Sequence, residues 1–472
     1  MMSLKKKWKD ITLNVSWWEW TIILIALLLP LISFLYEDTN SIIRCGIDVL
    51  KSICEGRFSD YYNFSRESRN AGLMIHPPTY DYLFYLTVGI WEIPVAIIEL
   101  VTGKTLENSL LMLCYSKCIL VLFLILSAWI VYKIAREVGL TEKIATWAAF
   151  MFMTSGFVFA NVCIAGQYDI LGIFFTLLGV YFYTKGNMKG FTLLFAIAIQ
   201  FKFFPLFIFI PLLLLKEKNL IKIGLHMICA FIPIMIMRLP FINNTAAMLE
   251  KNEIQADMID RMFRNRIPIF ETEVPLSLLL MGVVCLFCYI KDLKESEQKY
   301  YSVFIPFLAM AALFLSFPFY PYWIMYMAPW IPILFFMRKD KSDRRYLIEI
   351  GMEVSILFAQ FSHFYWVYEM DDNAFHMFLD KVVFAYDKLS NPITLSNFNS
   401  SFPMDEYQYL LYGMYIVCLV ALIALYWPKQ EMEQQTDIYP CRWVAWIRAI
   451  IFYGVGALPF LLYLASILRT FI

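Results

Sequence analysis

Runs of about 18–25 consecutive apolar residues recur along this chain, each long enough to cross a hydrocarbon core of about 30 Å. Stretches 17–36, 109–131 and 407–427 are clear instances. One such run fits the buried core helix of a large soluble protein; about ten in one chain do not. In lipid every backbone N–H and C=O must be bonded internally, so runs of this length fold as helices. Composition agrees: 60% of the 472 residues are hydrophobic and only 17% are charged, whereas a soluble chain is nearer half apolar. Mean hydropathy is +0.62. The expected fold class is an all-α integral membrane protein, one polytopic domain over 1–472.

Net charge is zero, which leaves no electrostatic footprint for nucleic acid. Cys114, Cys118, Cys285 and Cys288 lie inside apolar runs, where cysteine acts as a small hydrophobe, and no spacing suits zinc. Cys45 and Cys54 fall in a polar loop; free thiols are expected, with pairing open if that loop is extracytoplasmic. Lys5, Lys6, Lys7 and Lys9 precede a first run that ends in Phe34-Leu35-Tyr36 without a small-residue cleavage site, so it reads as an uncleaved first span.

Short cytoplasmic loops carry excess Lys and Arg. The N-terminal lysines put that end inside and residues 37–107 outside. Span 108–132 returns to Lys133, Arg136 and Lys143. Stretch 80–101 is interrupted by Asp81, Glu92, Pro94 and Glu99, and reads as a helix at the outer interface. Span 142–162 leaves, and 168–184 returns to Lys185 and Lys189. In 190–215, Lys202 and Pro205 break the middle, and Lys216, Lys218 and Lys222 follow. Basic residues at both ends imply two half-length passes meeting near Lys202. Each is about 12 residues, or roughly 18 Å, a break tolerated where it lines a cavity. Span 221–240 leads to a loop, 241–273; 274–290 returns to Lys291 and Lys294. Spans 300–317 and 320–337 lead out and back to Arg338, Lys339, Lys341, Arg344 and Arg345. Span 346–367 reaches a loop, 368–406; 407–427 returns and 444–468 exits. The sum is about thirteen passes with every long loop outside. No internal repeat is visible, which weakens a repeat-built transporter.

This topology gathers polar residues at the outer face. They are Asp48, Asp60-Tyr61-Tyr62, His76-Pro77-Pro78, Gly166-Gln167-Tyr168-Asp169, Lys202, Arg238, Arg261, Arg264, Arg266 and Tyr320-Pro321-Tyr322-Trp323. Carboxylates, cations and aromatics from distant segments are what a sugar or phosphate site needs. Each has a plainer reading. Asp169 starts a helix and suits a cap. Asp48 fits an ordinary loop carboxylate, and His76-Pro77-Pro78 a rigid turn. The three arginines fit lipid headgroups. Lys117, deep in its span, either snorkels to the surface or has a partner inside.

In order along 20–240, with a weaker match to 330, these motifs resemble the GT-C class of membrane glycosyltransferases, nearest its bacterial mannosyltransferase-like branch. The motifs are Gly46-Ile47-Asp48-Val49, His76-Pro77-Pro78-Thr79-Tyr80, Tyr132-Lys133-Ile134-Ala135-Arg136, Gly166-Gln167-Tyr168-Asp169 and Gln200-Phe201-Lys202-Phe203-Phe204-Pro205. The resemblance implies a polyprenyl-phosphate sugar donor, a catalytic acid at Asp48, a second outer acid at Asp169 and a donor-phosphate lysine at Lys202. It implies direct, inverting displacement. Arg238, Arg261, Arg264 and His76 are further expected contacts for the phosphate, where preorganised donors oppose developing charge; Lys117, Gln167, Tyr322 and Trp323 are expected around the substrate. The Pro321-Tyr322-Trp323 turn departs from relatives that carry a histidine there. No metal is required, since Lys and Arg take a divalent ion's role, although Asp48 and Asp169 are able to ligate one. The expected partners are the lipid-linked sugar, a glycan, lipid or protein acceptor, and membrane lipids. The expected location is the plasma membrane, with the site facing out. Two other classes compete: a transporter or flippase for a lipid-linked or small polar substrate, and a non-catalytic scaffold.

Overall fold

The computed structural model describes residues 37–338 (less 75 and 107–109), 343–363 and 404–428, with isolated helical positions in 21–31 and 447–468. The first span at 17–36, the loop at 368–406 and the last span at 444–468 lie largely or wholly outside the described residues.

The chain is mostly α-helical. It begins with α1 (Glu37–Cys54), α2 (Tyr61–Asn70), α3 (Tyr82–Trp91) and α4 (Ile93–Thr102). Next come α5 (Leu110–Glu137), α6 (Glu142–Met153), a short turn and a π-helix (Phe159–Ile164), α7 (Asp169–Thr184), α8 (Met188–Phe201), α9 (Leu206–Lys216), α10 (Leu220–Arg238) and α11 (Thr245–Met262). An antiparallel hairpin follows, β1 (Arg266–Ile269) and β2 (Thr272–Pro275), with Arg266 opposite Pro275. It sits inside what the sequence suggests is only a polar loop. After the hairpin the described elements are α12 (Leu276–Ile290), α13 (Glu295–Phe314), the 3-10 turn Pro321–Tyr326, α14 (Trp330–Met337), α15 (Asp343–His363) and α16 (Gln408–Tyr426).

Among the described residues, by length and composition, four helical stretches suffice to cross a membrane: Met112–Glu137, Glu142–Ile164, Leu220–Phe241 and Gln408–Tyr426. A fifth is the pair α3 and α4 taken as one broken span. This corrects the expectation of about thirteen passes from apolar runs. The runs at 168–184, 190–215 and 274–290 fold as helices of 11 to 16 residues, about 17–24 Å long. Prolines divide 320–337 into a 3-10 turn and the eight-residue α14. Residues 346–367 lie mostly in α15, whose inward face carries the buried Arg345, Glu349, Glu353 and Gln360.

Stretch 80–101 is not one straight helix. It bends by 66° at Glu92, just before Pro94. Helix α3 crosses α1 at a small-residue contact, where a Cβ on Gly89 would lie 2.5 Å from the Gly46 carbonyl oxygen. Helix α4 is tied to α1 by Glu99, which pairs with Arg44 at 2.7 Å and Lys51 at 3.1 Å.

The break at Lys202 is a reversal. Residue 202 is extended and ends α8. The Phe209 ring lies 5.0 Å from Phe191 and 5.4 Å from Phe195. In a continuous helix Phe191 and Phe209 would be about 27 Å apart, so α9 folds back along α8. Its far end meets the end of α12, where Lys218 Nζ donates to the Cys288 carbonyl at 2.7 Å. The two half-length passes therefore begin and end at one end of the helix layer, and Lys202 lies toward the other. Single cysteines at Gly186 and Glu217, in a chain stripped of its own cysteines, are expected to react with an impermeant maleimide from the same side of sealed vesicles. Labelling from opposite sides would mean that 188–216 is one through-going span.

Candidate functional site

The site is organised by segment 76–81 of the first loop, which runs between α1, α7 and the Lys202 turn. Asp38, in the first turn of α1, lies under it. Gln167 Nε2 donates to Asp38 Oδ2 at 3.1 Å, and Tyr80 Oη donates to Gln167 Oε1 at 3.4 Å. His76 Nε2 stands 3.7 Å from Asp38 Oδ1. Gln167 is presented by a turn in which Gly166 adopts φ +55°. A side chain there would be strained, and its Cβ would press on Thr39 Oγ1 at 3.1 Å. The glycine thus lets α7 start hard against the Asp38 turn.

Deeper in, Asp169 opens α7. Lys202 Nζ pairs with Asp169 Oδ1. Asn161 Nδ2 donates to Asp169 Oδ2 at 2.9 Å and to the Tyr322 carbonyl at 3.1 Å. Both oxygens of Asp169 are held and its side chain is fully buried, so it positions Lys202 and is poorly placed to take a proton. Four rings surround the ammonium: Trp323 at 5.5 Å, Phe204 at 5.7 Å, and Tyr80 and Tyr322 at 5.8 Å. This cage stabilises the cation and excludes water from it. Lys202 is 7% exposed, Asp38 is 32% and His76 is 45%. The assembly therefore grades from a wet carboxylate and imidazole to a dry ammonium.

The expected site residues divide. Asp169, Lys202, Gln167, His76, Tyr322 and Trp323 converge. Arg261 adjoins them: its Nη1 donates to Tyr320 Oη at 2.9 Å, and the Tyr320 ring stacks on Tyr322 at 5.7 Å. Arg264 and Arg266 are half-exposed and face Asp260 and Glu273. Lys117 is buried beside Cys163, so it does not snorkel.

Arg238 stands apart. It grips Asp81 at 3.0 Å through both Nε and Nη2. Asp81 meets Arg238 and Lys251, whereas its neighbour Tyr80 meets Gln167 and the Lys202 cage.

Asp48 is not brought to Lys202. It is buried in α1 among Ser68, Lys51 and Arg44, because it is on the face of α1 covered by the first-loop helices. Asp38 takes the exposed position instead. The available signal was its place as the first aspartate after the apolar run ending at Tyr36. Asn161 was hidden inside an apolar run, and only the π-helix turns it toward Asp169. Cys45 and Cys54 are both free. Among the described residues no three His, Cys, Asp or Glu cluster closely enough to hold a metal.

No protein-family model and no curated protein matches this chain. The class that the coordinates define is a helical protein with a few helices fit to cross a membrane and a graded polar cluster at one end of its helix layer.

Two outcomes test this geometry. Lys202→Met or Asp169→Asn alone leaves a buried charge and is expected to lower stability by about 3–5 kcal/mol. The double variant should lose less than the sum, as read from denaturant unfolding in detergent. Burial raises the Asp48 carboxyl from 3.8 to about 7, against the lowering pull of Ser68, Lys51 and Arg44. The folded state thus holds an extra proton between those values. Stability is expected to fall as pH rises from 4 to 7, by up to about 4 kcal/mol, and Asp48→Asn should flatten that slope.

Proposed function

We propose that this chain is a membrane glycosyltransferase of GT-C-like architecture that moves a hexose from a polyprenyl-phosphate donor to a hydroxyl of a glycan, lipid or protein. The observation that carries the reading is the placement of a partly exposed carboxylate, Asp38, and a ring-caged ammonium, Lys202, on either side of Tyr80: hydrogen bonds run from Tyr80 through Gln167 to Asp38, and the Tyr80 ring is one wall of the Lys202 cage. A sugar needs stacking faces and a phosphate needs directed N–H donors.

In this reading Asp38 is the base in place of Asp48. Its Oδ1 takes the acceptor proton as the new C–O bond forms at the anomeric carbon. The bond from that carbon to the phosphate oxygen breaks, and its electron pair stays on the lipid phosphate. The Lys202–Asp169 pair is net neutral, so it offers the leaving phosphate fixed N–H directions more than net charge. Such preorganised donors are among the larger catalytic effects. Attack from the face opposite the leaving group inverts the anomeric centre. Gln167 fixes the Asp38 rotamer, and Tyr80, Tyr322 and Trp323 supply faces for the sugar. His76 is near enough to carry the proton to solvent. In this proposal the site lies at the outer face of a plasma membrane, on the strength of the N-terminal lysines ahead of the first apolar run.

The test is a panel of radiolabelled polyprenyl-phosphate hexoses with the purified protein. Release of free polyprenyl phosphate is expected with at least one donor. Asp38→Asn should cut kcat by about 10²–10⁴ with donor binding unchanged, while Asp48→Asn remains active. An Asp38→Asn protein as active as the parent would remove the base assignment. No release from any donor would remove the transferase reading.

A further inference from the structure

The Arg238 cluster has its own chemistry. Asp81 receives two cations: Arg238, and Lys251 Nζ at 2.7 Å. Arg238 Nη2 also donates to Gln255 at 3.3 Å, and Gln255 Nε2 donates to the Thr79 carbonyl at 3.1 Å. Lys251 is fully buried over the Tyr62 ring at 5.7 Å. Two positive charges against one negative give the cluster +1 when Lys251 is protonated, a charge that burial, with Arg238 beside it, works against. A buried excess of one charge is costly unless an anion meets it.

The open side of the cluster is Arg238, which is 40% exposed. Its Nε and Nη2 are engaged, and its Nη1 donates to none of the described residues. Arg238 ends α10, whose apolar window is only 6% buried. Leu225, Ile228, Ile232, Ile236 and Leu239 are each 42–60% exposed. At 100° per residue these five fall within an arc of about 80°; Arg238 lies about 80° beyond it, with the exposed Met235 between. An apolar face about 20 Å long thus ends at a cation with free N–H groups. That pairing fits a molecule with an acyl chain and an anionic head.

We propose that Arg238, backed by Lys251, binds the phosphate of an anionic phospholipid whose acyl chain lies along α10. The site is distinct from the Lys202 cluster: Arg238 and Lys251 bond to Asp81 and Gln255, whereas Lys202 bonds to Asp169. The lipid phosphate takes the Nη1 hydrogens and neutralises the excess charge, while Asp81 keeps the fork oriented.

The experiment uses the full chain in detergent, probed with phosphatidylglycerol, phosphatidylcholine and inorganic phosphate by native mass spectrometry. Phosphatidylglycerol is expected to be retained over phosphatidylcholine. Arg238→Gln should weaken its retention about tenfold or more, the equivalent of one charge-assisted hydrogen bond, and Arg238→Lys should recover part of it. Thermal unfolding of each variant separates lost binding from lost fold: retention normalised to folded protein is the quantity compared. Equal retention of both lipids, equal retention by folded Arg238→Gln, or competition by millimolar inorganic phosphate alone would each overturn the lipid assignment. So would a second copy of the chain covering α10 in place of lipid. Donor cleavage in phosphatidylcholine nanodiscs is expected to survive Arg238→Gln. Its loss there would move Arg238 into the transfer site and also overturn the proposal, without touching the role of Asp38.

Discussion

A lysine and an aspartate share the start of one helix and the end of another, and both the architecture and the site depend on that pair. Lys202 lies at the reversal between α8 and α9, and Asp169 at the first turn of α7. Neither belongs in an apolar interior alone, since an unpaired charge there costs several kcal/mol. Together, with Asn161 on the second carboxylate oxygen and four rings around the ammonium, they form a satisfied unit. The pair pins the tip of the α8–α9 hairpin to the start of α7. That in turn sets where the Tyr320–Trp323 turn and the first-loop segment must pack.

The rest of the polar assembly is layered on this unit. Segment 76–81 uses alternate side chains for different tasks. Tyr80 joins the Lys202 cluster, and Asp81 reaches the other way to Arg238 and Lys251. One extended stretch thus fastens α1, α7, α10 and α11 near a common end of the helix layer. The partly exposed rim of the cluster lies at Asp38 and His76. The caged interior is where a fixed charge is held.

Much of this was legible before any coordinates. The break at Lys202-Phe203-Phe204-Pro205 follows from a cation and a proline in an apolar run flanked by lysines. Gln167, Asp169, Lys202, Tyr322 and Trp323 were expected on one side from a loop parity that the helices do not keep, so their meeting belongs to the tertiary structure. Asp48, the acid named from the sequence, lies away from Lys202, and Asp38 lies at the Gln167 end of the cluster. Both are acids of the same outer segment, separated by ten residues on α1. Which one is buried depends on what covers each face of α1, and α2, α3 and α4 decide that. The pass count also failed for a physical reason. Apolar runs report that a segment avoids water, but a helix of 11 to 16 residues packed among others satisfies the same requirement as a full span.

The sequence by itself determined that this chain is helical and membrane-seeking, because long apolar runs admit no other backbone solution in lipid. Only the tertiary structure decided that α9 reverses along α8, that Asn161 meets Asp169 through a π-turn, and that Arg238 serves Asp81 and not Lys202. Those outcomes depend on side-chain direction at single positions, which local pattern does not encode and helix packing does.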